Sequence, residues 1–184
     1  MMATTHAYVG LAMAAAVATV APEYALPAAV GGALGGTFPD LDLLAFHRRT
    51  LHYPVYYWFL ALPAAAVALL APGPVTVGVA LFLLAAAVHS NTDVVGGGLE
   101  MRPWEGTSEK AVYVHATGTW LRPRQWVRYD GSPEDLALAA AFAAPSLVVF
   151  DGPVRSAALV GLVVSAIYTL LRKRIVEWAP ERFL

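Results

Sequence analysis

Apolar and polar positions fall into blocks along this chain. Six apolar stretches, Ala7–Ala21, Ala25–Phe38, Val55–Ala71, Val75–Val88, Leu136–Phe150 and Val154–Leu171, are separated by short turns and one long polar loop. A helix needs about 20 residues to cross a bilayer, with about 17 as the lower limit. Val55–Ala71 and Val154–Leu171 meet that length, Val75–Val88 gains it from its flanks, and the first two stretches are shorter. Pro72-Gly73-Pro74 and Asp151-Gly152-Pro153 mark tight turns. Ala7–Phe38 reads as a helical hairpin about Ala21-Pro22-Glu23, either crossing fully or re-entering. Both options return Phe38 to the side where His6 begins. Within it, Gly31-Gly32-Ala33-Leu34-Gly35-Gly36 holds two overlapping Gly-x-x-x-Gly pairs. Such spacing lets helix backbones approach closely in lipid; the plainer alternative is a poorly helical glycine segment. The pattern predicts an all-α fold, a polytopic membrane bundle of about six apolar helical segments in one domain. Residues 1–98 form the helices of a candidate metal site, 99–133 a polar interfacial loop, and 134–184 a helical pair with an amphipathic tail.

Composition supports lipid as the solvent. Of 184 residues, 58% are hydrophobic and 14% charged, and mean hydropathy is +0.58. A soluble domain usually carries about 45–50% apolar and about 25% charged residues. The formal net charge of −1 gives nucleic acid no electrostatic foothold. Without cysteine there is no disulfide, thiolate site or cysteine nucleophile, so nitrogen and oxygen must hold any metal. A cleavable signal peptide over Ala7–Ala21 would need a positive leader, which Met-Met-Ala-Thr-Thr-His does not supply.

Charge sets the expected orientation. Arg172-Lys173-Arg174 and the loop Leu99–Pro133, with Arg102, Lys110, Arg122, Arg124 and Arg128, are basic and belong inside by positive-inside bias. Counting back places Pro39–Pro54 inside as well, and both termini in the cytoplasm. Trp104, Trp120 and Trp126 among the loop arginines suit a membrane interface. Val112-Tyr113-Val114 reads as a short strand or part of an interfacial cap. Ile175, Val176, Trp178, Phe183 and Leu184 suggest a short amphipathic tail on the membrane surface.

That orientation brings six ionisable residues, His6, Asp40, Asp42, His52, His89 and Asp93, to one membrane face. Carboxylates and imidazoles persist near hydrocarbon when they pair, ligate or react, and together they suit a divalent cation such as zinc. His89 and Asp93 stand four apart, on one face of a helix. Pro39 ends the preceding helix and biases its neighbourhood toward extended geometry, in which Asp40 and Asp42 point the same way. Two such carboxylates repel unless a cation or proton lies between them. His52 is the better ligand of its segment; His47 either ligates, holds a substrate oxygen or faces water. Arg48 and Arg49 suit an anionic group and equally satisfy positive-inside bias. Thr4 and Thr5 are plausible caps before His6, and His115 has no ligand-spaced neighbour. Serine-hydrolase, phosphate-loop and His-Glu-x-x-His motifs are absent.

The residues Thr5-His6-Ala7 with Gly10, Pro39-Asp40-Leu41-Asp42, His47-Arg48 with His52, His89 with Asp93, and Gly98-Leu99 with Arg102-Pro103 resemble a known pattern. The chain resembles the YdjM-like membrane-bound metal-dependent hydrolases, also described as LexA-binding, inner-membrane-associated hydrolases. The likeness covers roughly the first hundred residues. It implies a multi-helix membrane protein with a hydrolytic metal site and a distant similarity to zinc-dependent phospholipases C. The chain departs from the pattern at Leu43, Arg49 and Tyr53, where the family often has histidine, glycine and serine.

The expected function is metal-dependent hydrolysis of an ester, with a lipid phosphoester as the leading candidate, at the cytoplasmic face of the cell membrane. His6, Asp40, Asp42, His52, His89 and Asp93 would hold one or more ions, zinc first and manganese or magnesium as alternatives. Asp42 or Asp93 would accept a proton from water, and Arg48 or Arg102 would balance charge on the reacting group. Membrane lipids are the expected partners, with a lipid or other anionic ester as substrate and no nucleic acid. Two rivals use the same residues differently: a small cation or proton transporter, and a non-catalytic scaffold that binds a soluble partner through Leu99–Pro133.

Overall fold

Helices form over all six apolar stretches in the computed structural model, which describes residues 1–178. They are α1 (Ala3–Val20), α2 (Ala25–Thr37), α3 (Tyr56–Leu70), α4 (Pro74–Thr92), α5 (Pro133–Val149) and α6 (Gly152–Trp178). Their ends follow local chemistry. Pro74 and Pro133 stand at first helical positions, where the missing N–H costs nothing. Ser132 caps α5 by accepting the Asp135 N–H at 3.3 Å.

Among the described residues three helices are long and apolar enough to cross a membrane: α1, α4 with its continuation to Val95, and α6. The other three are shorter. The 13 residues of α2 rise about 20 Å, against roughly 30 Å of hydrocarbon in a bilayer. The outward faces carry many large apolar side chains, with Val20, Leu69, Leu70, Val148 and Leu170 each at least 79% exposed. Water-soluble monomers rarely expose so much contiguous apolar surface.

Glycine positions α2 in the middle of the bundle. The glycine run is helical, and its two faces meet two different neighbours. Gly32 lies against Gly10 and Gly36 against the His6 carbonyl, both on α1; Gly31 meets Gly78 and Gly35 the Phe82 carbonyl, both on α4. A Cβ at any of these four glycines would collide with backbone rather than with a movable side chain. The rest of the core continues the theme of small residues, with Ala14, Ala15, Ala28, Ala29, Ala139 and Ala143 fully or almost fully buried among Tyr8, Leu11 and Leu81.

Two local expectations change. Helix α1 starts at Ala3, so Thr4 and Thr5 do not cap it. Instead the Thr5 hydroxyl donates to Asp135 Oδ1 (2.7 Å) and Thr4 Oγ1 accepts from Ser165 (2.8 Å), tying α1 to α5 and α6. Beyond Arg174 the chain simply continues α6 to Trp178, while Phe183 and Leu184 of the expected tail lie outside the described residues.

The polar loop folds back over one end of the bundle. It contains a two-stranded antiparallel hairpin, β1 (Val112–Val114) and β2 (Thr119–Leu121), with Tyr113 opposite Trp120. Backbone N–H groups of Arg124, Gln125 and Val127 donate to the carbonyls of Val94, Gly96 and Val95, and the Tyr113 N–H donates to the Arg48 carbonyl. Arg172 of α6 anchors the far side through Asp130 at 2.7 and 3.0 Å.

Candidate metal centre

The end of the bundle beneath this loop collects all six expected residues. His6 comes from the first turns of α1, Asp40 and Asp42 from a 3-10 segment (Phe38–Leu44) after α2, and His52 from the loop before α3. His89 closes α4 and Asp93 follows it. His6, Asp42, His52, His89 and Asp93 are buried, none more than 1% exposed, whereas the Asp40 side chain keeps 14%. One atom from each of Asp40, His52, His89 and Asp93 lies within 4.8 Å of the other three.

Hydrogen bonding fixes what those atoms offer. The Nδ1 of His89 lies 2.6 Å from the Gly36 carbonyl, which only accepts, so Nδ1 carries the proton and a neutral ring keeps its lone pair on Nε2. His52 Nδ1 is likewise 2.9 Å from Asp42 Oδ2, which leaves Nε2 as the free nitrogen. Both Nε2 atoms then face carboxylate oxygen: His52 at 3.2 Å from Asp93 Oδ2, and His89 at 3.3 Å from Asp40 Oδ1 and 3.6 Å from Asp93 Oδ2. His89 Nε2 is buried with no hydrogen-bond partner. Four such atoms converging in a buried site repel unless positive charge lies among them; Arg48 Nε and the amino terminus, 3.3 and 3.0 Å from the Asp93 carboxylate, supply part of it, and two imidazoles with two carboxylates are a suitable donor set for a divalent ion. Imidazoles oriented through their other nitrogen are the usual accompaniment of such sites. The residues therefore fit a metal.

Two expected ligands stand just outside this group. His6 Nε2 lies 2.9 Å from Asp93 Oδ1, and its ring stacks on His89 with centroids 3.7 Å apart. It buttresses both residues. Asp42 is turned away because the 3-10 geometry after Pro39 replaces the extended one expected from the sequence. At about three residues per turn, positions two apart diverge by about 120° instead of aligning. Its carboxylate accepts from His47 Nδ1 (2.8 Å), His52 Nδ1 (2.9 Å) and the N–H groups of Arg48, Arg49 and Leu51 (3.2 Å each). Burial alone would raise the Asp42 pKa, but the bonds from His47 and His52 outweigh it and hold the carboxyl well below the ordinary range. For His52 burial disfavours the cation, yet the bonds that its protonated ring gives Asp42 and Asp93 lift the pKa above the usual value, and the Nε2 lone pair becomes available to an ion when that proton is lost.

Arg48 turns inward with a left-handed backbone (φ 58°), a conformation costly for a side chain of this size. The hairpin bond at its carbonyl and the Asp42 bond at its N–H hold it there. Its Nε is 3.3 Å from Asp93 Oδ2 and its Nη1 donates to the Gly97 carbonyl at 2.6 Å. Arg102 does not join the site: its side chain is about half exposed (53%) and faces Glu105 at 3.5 Å. His115 packs between Tyr53 and Tyr113, at 4.6 and 4.9 Å between ring centroids, and Arg49 lies over the Tyr113 ring at 4.5 Å. A cleft of about 370 Å³ opens beside the cluster, bordered by Asp40, His47, Arg48, Leu43, Thr4 and the α6 residues Val164, Ser165 and Tyr168.

The sequence offered no signal for the Gly36 carbonyl, because a backbone acceptor has no residue signature. Asp135 was also missed, although Ser-Pro-Glu-Asp is a recognisable helix start. It is buried, and accepts from the Met2 N–H (2.7 Å), Thr5 and the Gly131 N–H (3.0 Å), which pins the start of α1 beside the site. Comparison with family models, curated proteins and solved structures finds no match to this chain.

Proposed function

We propose that this protein is a membrane-bound metal-dependent hydrolase that cleaves an ester, foremost a lipid phosphoester, at the cytoplasmic face. The observation that carries the reading is the convergence of four lone-pair-bearing atoms from Asp40, His52, His89 and Asp93, beside a cleft with a buried arginine. The resemblance of the first hundred residues to YdjM-like hydrolases points the same way. In this reading α1 to α6 all traverse or re-enter the bilayer, with the basic loop and Arg172-Lys173-Arg174 inside by positive-inside bias.

Asp40, His52, His89 and Asp93 would hold the ion, with zinc the leading candidate. A divalent ion bound there supplies Lewis acidity and lowers the pKa of water toward ~7. Of the four, only Asp40 borders the cleft, so it is the carboxylate placed to take a proton from water there. Asp42 has its oxygens filled by five donors, and Asp93 is enclosed by His6, Arg48 and His52. Asp42 therefore acts as a positioning residue, and Asp93 as a ligand rather than the base. His47, its Nδ1–H held by Asp42 and its side chain 29% exposed, is placed to give a proton to the leaving oxygen. Arg48 provides the positive charge at the cleft floor for an anionic reacting group.

Elemental analysis of purified protein beside Asp40→Ala and His89→Ala variants tests the reading, paired with turnover of a chromogenic phosphodiester in detergent. Stoichiometric metal and turnover in the wild type, both lost in the variants, are expected. Equal metal content in all three proteins would remove the basis of the site. Metal binding without turnover in detergent, together with cation flux across sealed vesicles, would favour a transporter. A scaffold would show no bound metal.

A further inference from the structure

The cleft beside the metal cluster has walls of two kinds. Its floor is polar, with Asp40, His47 and Arg48. One side is α6, contributing Val164, Ser165 and Tyr168. Of the three membrane-length helices α6 is the least covered: 11% of its apolar stretch is buried within the chain, against 44% for α1 and for α4. Val160, Val163, Val164 and Ile167 are each at least half exposed, so the helix that walls the cleft also turns an apolar face outward. The opposite rim is the ligand-bearing 3-10 segment and the turn after it. There Leu41, Leu43 and Phe46 are 58%, 67% and 73% exposed.

Three large apolar side chains on a loop that also carries Asp40 and Asp42 are each more than half exposed. The loop sits at the end of the membrane-length helices, where the headgroup region must lie. The exposed Arg49 and the Arg124–Trp126 pair (5.4 Å) lie on the same end, a basic and aromatic fringe suited to anionic headgroups. Apolar residues at that level gain by entering the acyl boundary.

We infer that the cleft is a lateral portal open to the bilayer, through which an amphiphile presents an anionic ester head to Asp40, His47 and Arg48 while its chain stays between α6 and a membrane-seated rim of Leu41, Leu43 and Phe46. The identity of the head rests on the hydrolase reading; the seating of the rim and the lateral opening do not. A substrate taken this way never crosses the aqueous phase, which explains a site that is polar at its base and apolar at its mouth.

The absence of native cysteine makes the test clean. Single cysteines at Leu43, Phe46 and Val164, with Glu109→Cys as an aqueous control, are labelled with a bimane fluorophore. The proteins are placed in nanodiscs of phosphatidylcholine and phosphatidylglycerol. Doxyl-labelled phosphatidylcholine is expected to quench positions 43, 46 and 164 at least threefold more than position 109, and iodide the reverse. Iodide quenching at 43 and 46 equal to that at 109 would overturn the seating of the rim. A phospholipid carrying a diazirine in its acyl chain then probes the portal itself. Adducts at Leu43 or within Val164–Tyr168, reduced at least threefold by Val164→Trp, are expected. Adducts confined to other lipid-facing positions, or unchanged by that substitution, would overturn it. Neither measurement needs turnover, so a failed hydrolysis assay and a failed portal are told apart.

Discussion

Replacing Asp42 by asparagine separates orienting a ligand from being one. In the structure Asp42 holds the Nδ1–H of His52 at 2.9 Å and accepts from four further donors, while standing outside the group of converging ligand atoms. Asparagine keeps the shape but offers one acceptor oxygen and turns an NH2 group toward donors it cannot satisfy. Each buried donor left unpaired costs about 1–3 kcal/mol, and His52 loses the bond that fixes its tautomer. Loss of an outer partner of this kind typically weakens metal binding by about 10–100-fold, or about 1.4–2.7 kcal/mol. The assay is competition for zinc against a chromophoric chelator in detergent, for wild type, Asp42→Asn and His89→Ala. Asp42→Asn should still reach full stoichiometry at saturating zinc, with an affinity lower by that factor, whereas His89→Ala should lose the site. An unchanged affinity would refute the orienting role. Loss of stoichiometry in a variant with wild-type circular dichroism would make Asp42 a ligand after all.

Four further outcomes follow from the same geometry. Because the folded Asp42 pKa lies below its unfolded value of about 3.9, its stabilising contribution is complete above that value and lost as pH falls through the folded pKa; melting temperature measured from pH 5 to pH 2 should drop, and Asp42→Asn should flatten the drop. The raised His52 pKa means that a metal displaces a proton there, so calorimetry in buffers of different ionisation enthalpy should detect proton release, and zinc affinity should rise from pH 6 to pH 8. Gly32→Leu should abolish the monodisperse peak of folded protein on size-exclusion chromatography, since even a methyl at that position strikes the Gly10 carbonyl, while Gly73→Ala, whose methyl would meet only Thr76 Oγ1 at 3.6 Å, should be tolerated. Arg102→Ala should leave metal content unchanged, because its side chain pairs with Glu105 at the surface.

The helices were legible because hydropathy in lipid is a one-dimensional signal: each apolar block became a helix, with ends at Pro74, Ser132 and Gly152 where proline, serine and glycine placed them. The gathering of His6, Asp40, His52, His89 and Asp93 at one end was legible for the same reason, since apolar helices joined by turns leave polar residues only the two ends of the bundle. Their individual roles were not. Asp40 and Asp42 were separated by a local backbone choice, 3-10 against extended, that the sequence around Pro39 does not determine. His6 was reassigned by which nitrogen met Asp93, and Arg102 by its nearness to Glu105, both products of tertiary packing. The glycine run was ambiguous until the positions of α1 and α4 showed that each of its two faces had a backbone to meet.

The two imidazoles of the centre owe their orientation to acceptors of different kinds. His52 depends on a side chain, so a single codon change can retune its grip. His89 depends on the Gly36 carbonyl, which every amino acid possesses and no substitution deletes. That arm yields only if the α2 rod slides or tilts against α4, so the hold of His89 on any ion placed there would gauge the register of the two helices.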